Sequence, residues 1–313
     1  MKSEFRIGTR GSKLALYQAE WARAKLAENF PLVKFSLVKI KTSGDMIRRS
    51  NPDPFLTKRV YTQEIEEALE RNEIDLAVHS AKDLAVQLTE GLQIGAVPER
   101  EDPRDCLIAR DGKKLNELPT GSRIGTSAIR RRLQLLRLNP NLVVEEIHGN
   151  VDTRVRKLEE GAVDGLVLAY AGIKRLGLTN TVTEIFPEKI IYPAPCQGAI
   201  AVETRAGDTE IEEIVRPLNH PESAFRVTLE RAFLRRLEGG CQLPCGITTR
   251  FDGKQKWQVS GILFSMDGAE AVEAEIEAGV KNPEETGARL AEEIFSKGGD
   301  RIMHKMRESK ERS

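Results

Sequence analysis

The order of secondary structure is the feature that most constrains the fold of this 313-residue chain. Short β-rich runs alternate with amphipathic helices between residues 5 and 169. Runs typical of strands include residues 5–9, 74–79 and 164–169. Residues 12–29 instead carry an apolar stripe at helical spacing. Because strands that alternate with helices form βαβ units, we predict an α/β fold with mostly parallel sheets.

Two short stretches of this region occur twice. Residues 6–9 (Arg-Ile-Gly-Thr) recur at 123–126, and residues 74–78 (Ile-Asp-Leu-Ala-Val) resemble 163–167 (Val-Asp-Gly-Leu-Val). Two similar α/β lobes that face each other across a cleft would direct strand ends and helix N-termini toward a ligand. Coincidence between two strand–turn–helix units is the alternative interpretation.

The sequence changes character after about residue 217. A helix predicted over residues 223–237 leads into a glycine-rich loop, and three runs of alternating polarity follow. These runs lie near residues 247–251, 256–263 and 270–278, and two further helices complete the chain. Antiparallel strands with segregated helices indicate a small α+β domain.

Composition excludes several classes of protein. The chain has 48 Lys+Arg and 48 Asp+Glu, and this balance argues against a nucleic-acid-binding protein with a basic surface throughout. No apolar run approaches the roughly 18 residues of a membrane span. The start of the sequence has no apolar segment of a secretory signal, so we expect a cytoplasmic protein with reduced thiols. Four cysteines without a CxxC pair make a structural zinc site improbable.

One segment concentrates positive charge. Residues 121–144 contain five arginines and no acidic residue, and Arg130, Arg131 and Arg132 fall in the first turn of a helix predicted over 127–138. Cations at a helix N-terminus oppose the macrodipole, so the arrangement favours a bound anion held by backbone N–H groups and arginine side chains. A solvated basic helix face is the alternative. Since successive helical positions fan out widely, at least one of these arginines is expected in solvent.

Other candidates follow predicted strands or lie in the glycine-rich loop. His79-Ser80-Ala81-Lys82-Asp83 comes at the carboxyl end of an apolar run, where ligand groups of α/β folds collect, although helix capping is the alternative. Arg154 also follows a strand, and its alternative is an ordinary surface arginine. Cys241 stands between glycines and a proline, in a loop where a thiol is accessible enough to react. Cys245 offers half of a metal site, but no second half is visible.

Eight stretches of the sequence together resemble the hydroxymethylbilane synthase (porphobilinogen deaminase) family. They run in family order and cover nearly the whole chain through Gly246. The stretches are GTRGSKLAL (8–16), TSGD (42–45), DLAVHSAKD (75–83), EREDPRD (99–105), GTS (125–127), GNVDTR (149–154), AGIKRL (171–176) and LEGGCQ (237–242).

This resemblance implies three domains. Two are type II periplasmic-binding-protein-like α/β lobes with the active site between them, formed by residues 1–98 plus 199–216 and by residues 104–193. The third is a C-terminal α+β domain with an antiparallel three-stranded sheet, formed by residues 220–313. It carries a dipyrromethane cofactor that is attached covalently through Cys241.

The resemblance also implies the chemistry. Four porphobilinogen molecules are condensed head to tail, each losing ammonia, and water releases the linear tetrapyrrole hydroxymethylbilane. Asp83 matches the catalytic aspartate of the family. Loss of ammonia leaves an electron-poor azafulvenium, and a carboxylate at the pyrrole N–H stabilises this charge where it develops.

The remaining site residues are also implied by the resemblance. Each pyrrole carries acetate and propionate groups, and arginine binds carboxylates bidentately while staying charged. The expected cofactor-binding residues are Cys241, Ser80, Lys82, Thr126, Ser127, Arg130 and Arg131. The expected substrate-binding residues are Arg10, Ser12, Arg154, Arg175, Gln197 and His148. We expect a monomer with no metal, no nucleic-acid partner and no membrane association.

The sequence departs from the family pattern at several positions. Residues 55–61 stand where the family commonly has a glycine-rich active-site loop. Replacing the glycines should stiffen or reshape this loop. Ala85 stands where proline is common, Cys196 where glycine is usual and Cys245 where isoleucine is usual. A non-catalytic bilobal protein that binds polycarboxylates is the alternative function. Such a protein would need the lobes and the arginines, but neither Asp83 nor a reactive loop cysteine.

His148 is the departure that gives a testable expectation, because the family usually has arginine there. Histidine is a weaker carboxylate partner whose charge depends on pH, whereas arginine stays charged. His148→Arg should therefore lower the KM for porphobilinogen or lessen its rise with pH. Steady-state kinetics of both proteins across neutral pH check this. Identical KM values at every pH would mean that residue 148 does not touch substrate.

Overall fold

The computed structural model describes residues 2–46, 61–238, 243–253 and 256–311. Within these ranges the strands are β1 Glu4–Thr9, β2 Lys34–Lys39, β3 Leu76–Ser80, β4 Leu92–Ala96, β5 Asp105–Ala109, β6 Arg123–Gly125, β7 Val143–Glu145, β8 Gly165–Ala169, β9 Glu184–Ile185, β10 Ile200–Arg205, β11 Cys245–Phe251, β12 Lys256–Phe264 and β13 Ala271–Gly279. The helices are α1 Lys13–Asn29, α2 Ser43–Met46, α3 Gln63–Glu70, α4 Ile129–Leu138, α5 Val151–Glu159, α6 Tyr170–Arg175, α7 Thr209–Val215, α8 Pro221–Arg236, α9 Pro283–Ile294 and α10 Asp300–Glu311.

The chain divides into two compact units, and each contains one five-stranded sheet. Unit 1 comprises residues 1–101 and 198–227, and its sheet has the order β2-β1-β3-β10-β4. Unit 2 comprises residues 102–197 and 228–313, and its first sheet has the order β7-β6-β8-β5-β9. In both sheets the fourth strand alone, β10 or β5, runs antiparallel to its neighbours. The two sheets therefore share one topology.

Unit 2 also contains the antiparallel sheet β11-β12-β13. Along β13 the side chains alternate, so that Ala274 and Ala278 are buried while the glutamates between them are exposed. Gly287 of α9 lies where a Cβ would come within 2.1 Å of the Leu229 carbonyl oxygen, so this helix approaches α8 at a distance that only glycine permits. Two α/β sheets and a small antiparallel sheet confirm the predicted fold class.

The internal sequence repeat occupies equivalent places in the two sheets. Ile7 and Gly8 of β1 pair with Leu76 and Ala77 of β3. The corresponding residues of β6, Ile124 and Gly125, pair with Gly165 and Leu166 of β8 in the same register. The two copies of the repeat thus occupy the same positions in two α/β sheets of one topology, as the interpretation of two similar lobes predicts.

A pair of arginine and aspartate recurs with the repeat. The Asp75 carboxylate accepts the backbone N–H of Arg6 at 2.8 Å, and Asp164 accepts that of Arg123 at 2.8 Å. In each unit the aspartate N–H donates back to the arginine carbonyl, also at 2.8 Å. Side-chain ion pairs reinforce both, at 3.2 Å in unit 1 and 3.6 Å in unit 2. These contacts join β1 to the residue that precedes β3 in unit 1, and β6 to the residue that precedes β8 in unit 2.

The first helix shows why these segments fold as predicted. Ser12 accepts the N–H of Ala15 at 3.3 Å and caps α1, which satisfies one of the donors left free at a helix N-terminus. One stripe of the helix buries Ala19, Ala22 and Leu26 in the core of unit 1. The stripe predicted from the sequence (Leu14, Tyr17, Trp21 and Leu26) is only partly correct, because Leu26 is buried and Trp21 packs partly on this core while Tyr17 is 46% exposed.

Some element boundaries differ from the predictions. The helix predicted over 127–138 begins at Ile129, because Ala128 is extended and no side chain caps it. Thr126 instead accepts the N–H of Ala128 at 3.4 Å within the preceding turn. Strands β9 and β10 were not predicted from the sequence. Among the residues that the structure describes, no helix combines the length and apolar character needed to cross a bilayer.

The repeated aspartates permit a matched comparison of stability. Asp75 is 2% exposed and Asp164 is 32% exposed, although both accept the same backbone N–H. Asp75→Asn should lower the free energy of unfolding by about 1–3 kcal/mol, because the asparagine NH2 group places a donor where the buried carboxylate accepts hydrogen bonds from donors. Asp164→Asn should cost less, since water can replace the lost contact. Urea denaturation of both variants measures the difference, and equal losses would contradict it.

The contribution of Asp75 should also depend on pH. Burial raises its pKa, but hydrogen bonds from Arg6 and Lys2 outweigh burial and hold the pKa below its usual value. A lowered folded-state pKa means that the stabilisation is complete above the unfolded pKa of about 3.9. It should be lost as the pH falls through the lower folded value. In Asp75→Asn this acid-dependent component should be missing from the urea titration.

Candidate active site

Unit 1 gathers several predicted site residues beyond the carboxyl ends of two neighbouring strands. Arg10 and Ser12 follow β1, while Lys82 and Asp83 follow β3. Because β1 and β3 are parallel neighbours, their carboxyl ends lie at the same edge of the sheet. Ser80, the last residue of β3, joins the two segments through hydrogen bonds of 3.0 and 3.2 Å between its hydroxyl and the amide of buried Gln18 on α1.

Asp83 is exposed because of the turn that carries it. Residues Ala81–Asp83 form one turn of 3-10 helix after β3. Ala81 is buried and donates its N–H to the Ala199 carbonyl at 3.0 Å, and Leu84 is buried on the other side of the turn. Lys82 is half-buried and Asp83 is exposed. The apolar residues thus anchor the turn, and its carboxylate is directed to solvent where it can meet a ligand.

A buried contact between a histidine and a glutamate lies one residue before Ser80. His79 Nε2 is 3.0 Å from Glu203 Oε2 of β10, and both side chains are almost fully buried. The pair connects β3 and β10 near the end of β3 that carries Ser80 and Asp83. A histidine in an apolar strand gave no signal of its acidic partner, which is distant in sequence.

Unit 2 places Arg130 and Arg131 around one buried carboxylate. Asp105, the first residue of β5, lies 2.7 Å from Arg130 Nη1 and 2.8 Å from Arg131 Nη2. Arg131 Nε adds a second hydrogen bond at 3.0 Å, so this arginine binds the carboxylate through two nitrogens. All three side chains are buried, with the carboxylate fully enclosed. Arg130 also donates to the carbonyl of Tyr192.

Gln197 completes this cluster. Its amide nitrogen donates to Asp105 at 2.8 Å and to the Pro103 carbonyl at 2.7 Å, and its oxygen accepts from Arg131 at 3.2 Å. The predicted site residues Arg130, Arg131 and Gln197 are therefore brought together, with Asp105 at their centre. Asp105 was quoted in the sequence only as part of a matching stretch, and nothing in its spacing indicated that it would oppose the arginines.

The charge state of the cluster follows from its geometry. Burial raises the pKa of Asp105, but the positive charges of Arg130 and Arg131 outweigh burial and hold that pKa far below its usual value. Burial also lowers the pKa of Arg130, which nonetheless stays protonated in ordinary conditions. Two guanidinium groups thus face one carboxylate. The cluster keeps one positive charge in excess, which suits an additional anion.

The other arginine of this helix behaves differently. Arg132 is exposed, as expected for one of three consecutive helical positions. Thr126 is buried and Ser127 exposed, in the turn between β6 and α4. The chain itself supplies an anion to the basic first turn of α4, since Asp105 contacts Arg130 and Arg131.

The predicted substrate-binding residues of the following segments lie at helix ends. Arg154 is in the first turn of α5, and its Nε donates to the Gly149 carbonyl at 2.8 Å. Arg175 is the last residue of α6, the helix that follows β8. His148 is partly exposed, with Nε2 3.1 Å from the carboxylate of Glu146.

The cysteines fall into two groups. Cys241 lies outside the described residues. Cys106, Cys196 and Cys245 are all buried, and burial raises the pKa of the Cys106 thiol to about 12, so it is unreactive. Cys196 has φ of 63°, the left-handed region that favours glycine, which explains the usual glycine at this position. The described residues contain no group of His, Cys, Asp and Glu able to hold a metal ion.

Comparisons with known proteins agree with these features. Two family models match: "Porphobilinogen deaminase, dipyromethane cofactor binding domain" over residues 5–213 and "Porphobilinogen deaminase, C-terminal domain" over residues 224–296. The porphobilinogen deaminase of Desulforudis audaxviator is 46% identical over 308 residues, covering 98% of this chain and 99% of that protein. That of Pelotomaculum thermopropionicum is 44% identical over 312 residues, covering both chains completely.

Solved structures with some likeness include two ligand-binding proteins. The methionine binding protein MetQ gives a TM-score of 0.45 with 15% identity, covering 73% of this chain and 95% of its own. The alkanesulfonate-binding protein SsuA from Xanthomonas axonopodis pv. citri gives 0.38 with 16% identity and 75% coverage of each.

The Asp105 cluster predicts a large loss of stability when its carboxylate is removed. Asp105→Asn leaves two buried guanidinium groups without an opposing charge, which should lower the free energy of unfolding by about 3–5 kcal/mol. Asp111→Asn, at an exposed position in the same unit, is the matched control and should stay close to the parent. Urea denaturation checks both. A similar small loss in the two variants would contradict the central place of Asp105.

Proposed function

The chain belongs to the porphobilinogen deaminase family, and we propose that it condenses four porphobilinogen molecules head to tail to give hydroxymethylbilane. The reaction is a transfer, in which each substrate loses ammonia and its methylene carbon is joined to the ring of the preceding unit. Water adds to the methylene carbon of the first unit, whose bond to the priming ring breaks as that ring regains a proton, and the product is released. Both family models and the full-length relatives support this enzyme rather than a non-catalytic binding protein.

The observation that carries the catalytic assignment is the exposed carboxylate of Asp83 beyond the end of β3. As ammonia leaves porphobilinogen, positive charge develops on the pyrrole ring and its N–H becomes more acidic. A carboxylate that accepts this N–H stabilises the charge as it forms. We assign this role to Asp83, whose turn is anchored by buried neighbours and needs no rearrangement to present it.

The Asp105 cluster fits the carboxylates of a dipyrromethane. Its excess positive charge is buried beside Gln197, so an anion there would gain charge-assisted hydrogen bonds. We propose that Arg130 and Arg131 hold this group together with Thr126, Ser127, Ser80 and Lys82, and that Cys241 attaches it. The dipyrromethane, when bound, supplies the primer to which the first substrate ring is joined. Asp105 keeps both arginines charged and oriented.

We assign substrate carboxylates to the basic residues near the helix ends. Arg10, Arg154 and Arg175 present guanidinium groups suited to acetate and propionate. Ser12, Gln197 and His148 supply further polar contacts. The growing product gains acetate and propionate groups with every unit added, so several dispersed cations serve it better than one site.

We also propose a monomeric, cytoplasmic enzyme. The balance of 48 Lys+Arg against 48 Asp+Glu supports the absence of a nucleic-acid partner. Residues 1–98 plus 199–216, 104–193 and 220–313 are proposed as its three domains. The separate C-terminal family model over 224–296 supports the last of these.

Asp83→Asn should keep the fold but lower kcat about 100- to 1000-fold, because the charge that stabilises the transition state is removed. Ammonia release and porphobilinogen consumption measure the rate. Glu90→Gln, at an exposed acidic position in the same part of unit 1, is the control and should retain the parent rate. Parent-like ammonia release by Asp83→Asn would remove Asp83 from the catalytic role.

The covalent cofactor can be tested by intact-protein mass spectrometry. Protein from a porphyrin-producing host should be heavier than the polypeptide, and Cys241→Ser should restore the polypeptide mass. Cys196→Gly and Cys245→Ile, which restore the residues usual in the family, should retain the extra mass. A parent protein with the bare polypeptide mass would argue against the cofactor.

A further inference from the structure

The ring of Tyr61 lies against two parts of unit 1 that the proposed reaction leaves unconnected. The guanidinium carbon of Arg10 is 4.2 Å from the ring centroid, well within the roughly 6 Å limit of a cation–π contact. The same ring is packed on the backbone of Gly44, in the short helix α2. Tyr61 therefore connects the segment after β1 with the segment after β2.

Gly44 is the residue that makes room for the ring. A Cβ at this position would lie 2.2 Å from Cε1 and 2.3 Å from Cδ1 of Tyr61, distances at which atoms cannot coexist. Any side chain at position 44 must therefore displace the tyrosine ring. The glycine is explained by this close approach rather than by an unusual backbone conformation.

A hydrogen bond holds Gly44 beside the tyrosine. The backbone N–H of Ser43 donates to Glu64 Oε1 at 2.7 Å, and the Ser43 hydroxyl donates to the same oxygen. Glu64 lies in the first turn of α3, which begins two residues after Tyr61. This hydrogen bond thus joins α2 to the helix that follows Tyr61, and it holds Gly44 beside the tyrosine ring.

From this geometry we propose that Tyr61 is a positioning residue that holds Arg10 in the orientation that binds a substrate carboxylate. The inference rests on the proposed function, because it takes Arg10 to contact substrate. An aromatic face attracts a guanidinium through its quadrupole and adds no negative charge of its own. Asp105 orients Arg130 and Arg131 in a different way, since its carboxylate offsets part of their charge.

The consequence is an effect on binding rather than on chemistry. Loss of the aromatic contact gives Arg10 more conformational freedom to give up when substrate binds, and this cost applies equally to the bound substrate and the transition state. The KM should therefore rise while kcat stays unchanged. For a partly exposed cation–π contact, Tyr61→Leu should raise the KM for porphobilinogen about two- to fivefold.

A double-mutant cycle tests whether Tyr61 acts through Arg10. Tyr61→Leu is measured in the parent and in Arg10→Gln, with KM and kcat for porphobilinogen determined separately. We expect the rise in KM in the parent background and no further rise in Arg10→Gln. Equal rises in both backgrounds would show that Tyr61 acts independently of Arg10 and would overturn the inference.

Further variants separate positioning from a general loss of structure. Gly44→Ala should displace the ring and raise the KM as Tyr61→Leu does, and combining the two should add nothing. Tyr61→Phe keeps the aromatic face and should have the same KM as the parent. A raised KM in Tyr61→Phe would assign the effect to the hydroxyl and overturn the inference. Tyr17→Leu is the matched control, since Tyr17 is exposed to 46% and Tyr61 to 41%.

The same measurements distinguish failure of the inference from failure of the proposed function. A parent protein that carries its cofactor but consumes no porphobilinogen would refute the proposed function. An active parent whose KM is unchanged in Tyr61→Leu and Gly44→Ala would refute only the role of Tyr61. A drop in kcat with unchanged KM would also refute it, because the residue would then act on the chemical step.

Discussion

The buried contact between Asp105 and two arginines is the interaction on which unit 2 depends. A carboxylate without solvent is stable only if opposite charges and donors surround it, and Arg130, Arg131 and Gln197 provide them. These partners come from α4 and from the chain before β10, while the carboxylate begins β5. One charged group therefore fixes three segments distant in sequence. It also fixes the position of the arginines that we propose bind the cofactor.

The two α/β sheets share one set of contacts near the amino ends of their parallel strands. Asp75 and Asp164 each accept the N–H of an arginine that lies in the neighbouring strand, in equivalent registers. At the carboxyl ends of their strands the sheets differ. Unit 1 presents the exposed carboxylate of Asp83 near Ser80, whereas unit 2 encloses a carboxylate between arginines. A repeated framework thus carries two different polar sites, one suited to charge stabilisation and the other to anion binding.

Much of the fold could be predicted because its signals are local. The alternation of strands and helices, the repeat at 6–9 and 123–126, and the alternating pattern of the C-terminal sheet all depend on near neighbours. Strand β9 was missed because it has only two residues, and the six-residue strand β10 was missed because its place is set by pairing with distant residues. The start of α4 was misplaced by two residues because Ala128, rather than Thr126 or Ser127, precedes the helix.

The sequence by itself determined the fold class, the repeat and the candidate residues, since periodicity, glycine positions and family motifs are properties of adjacent residues. Their partners were decided only by the tertiary structure. Asp105 opposite Arg131, Gln18 bonded to Ser80 and Tyr61 under Arg10 are contacts between separate segments. No local pattern encodes them, because charge pairing, hydrogen bonding and ring stacking depend on distance in space. The chain as a sequence has no net charge, and folding determines where its positive charge is concentrated.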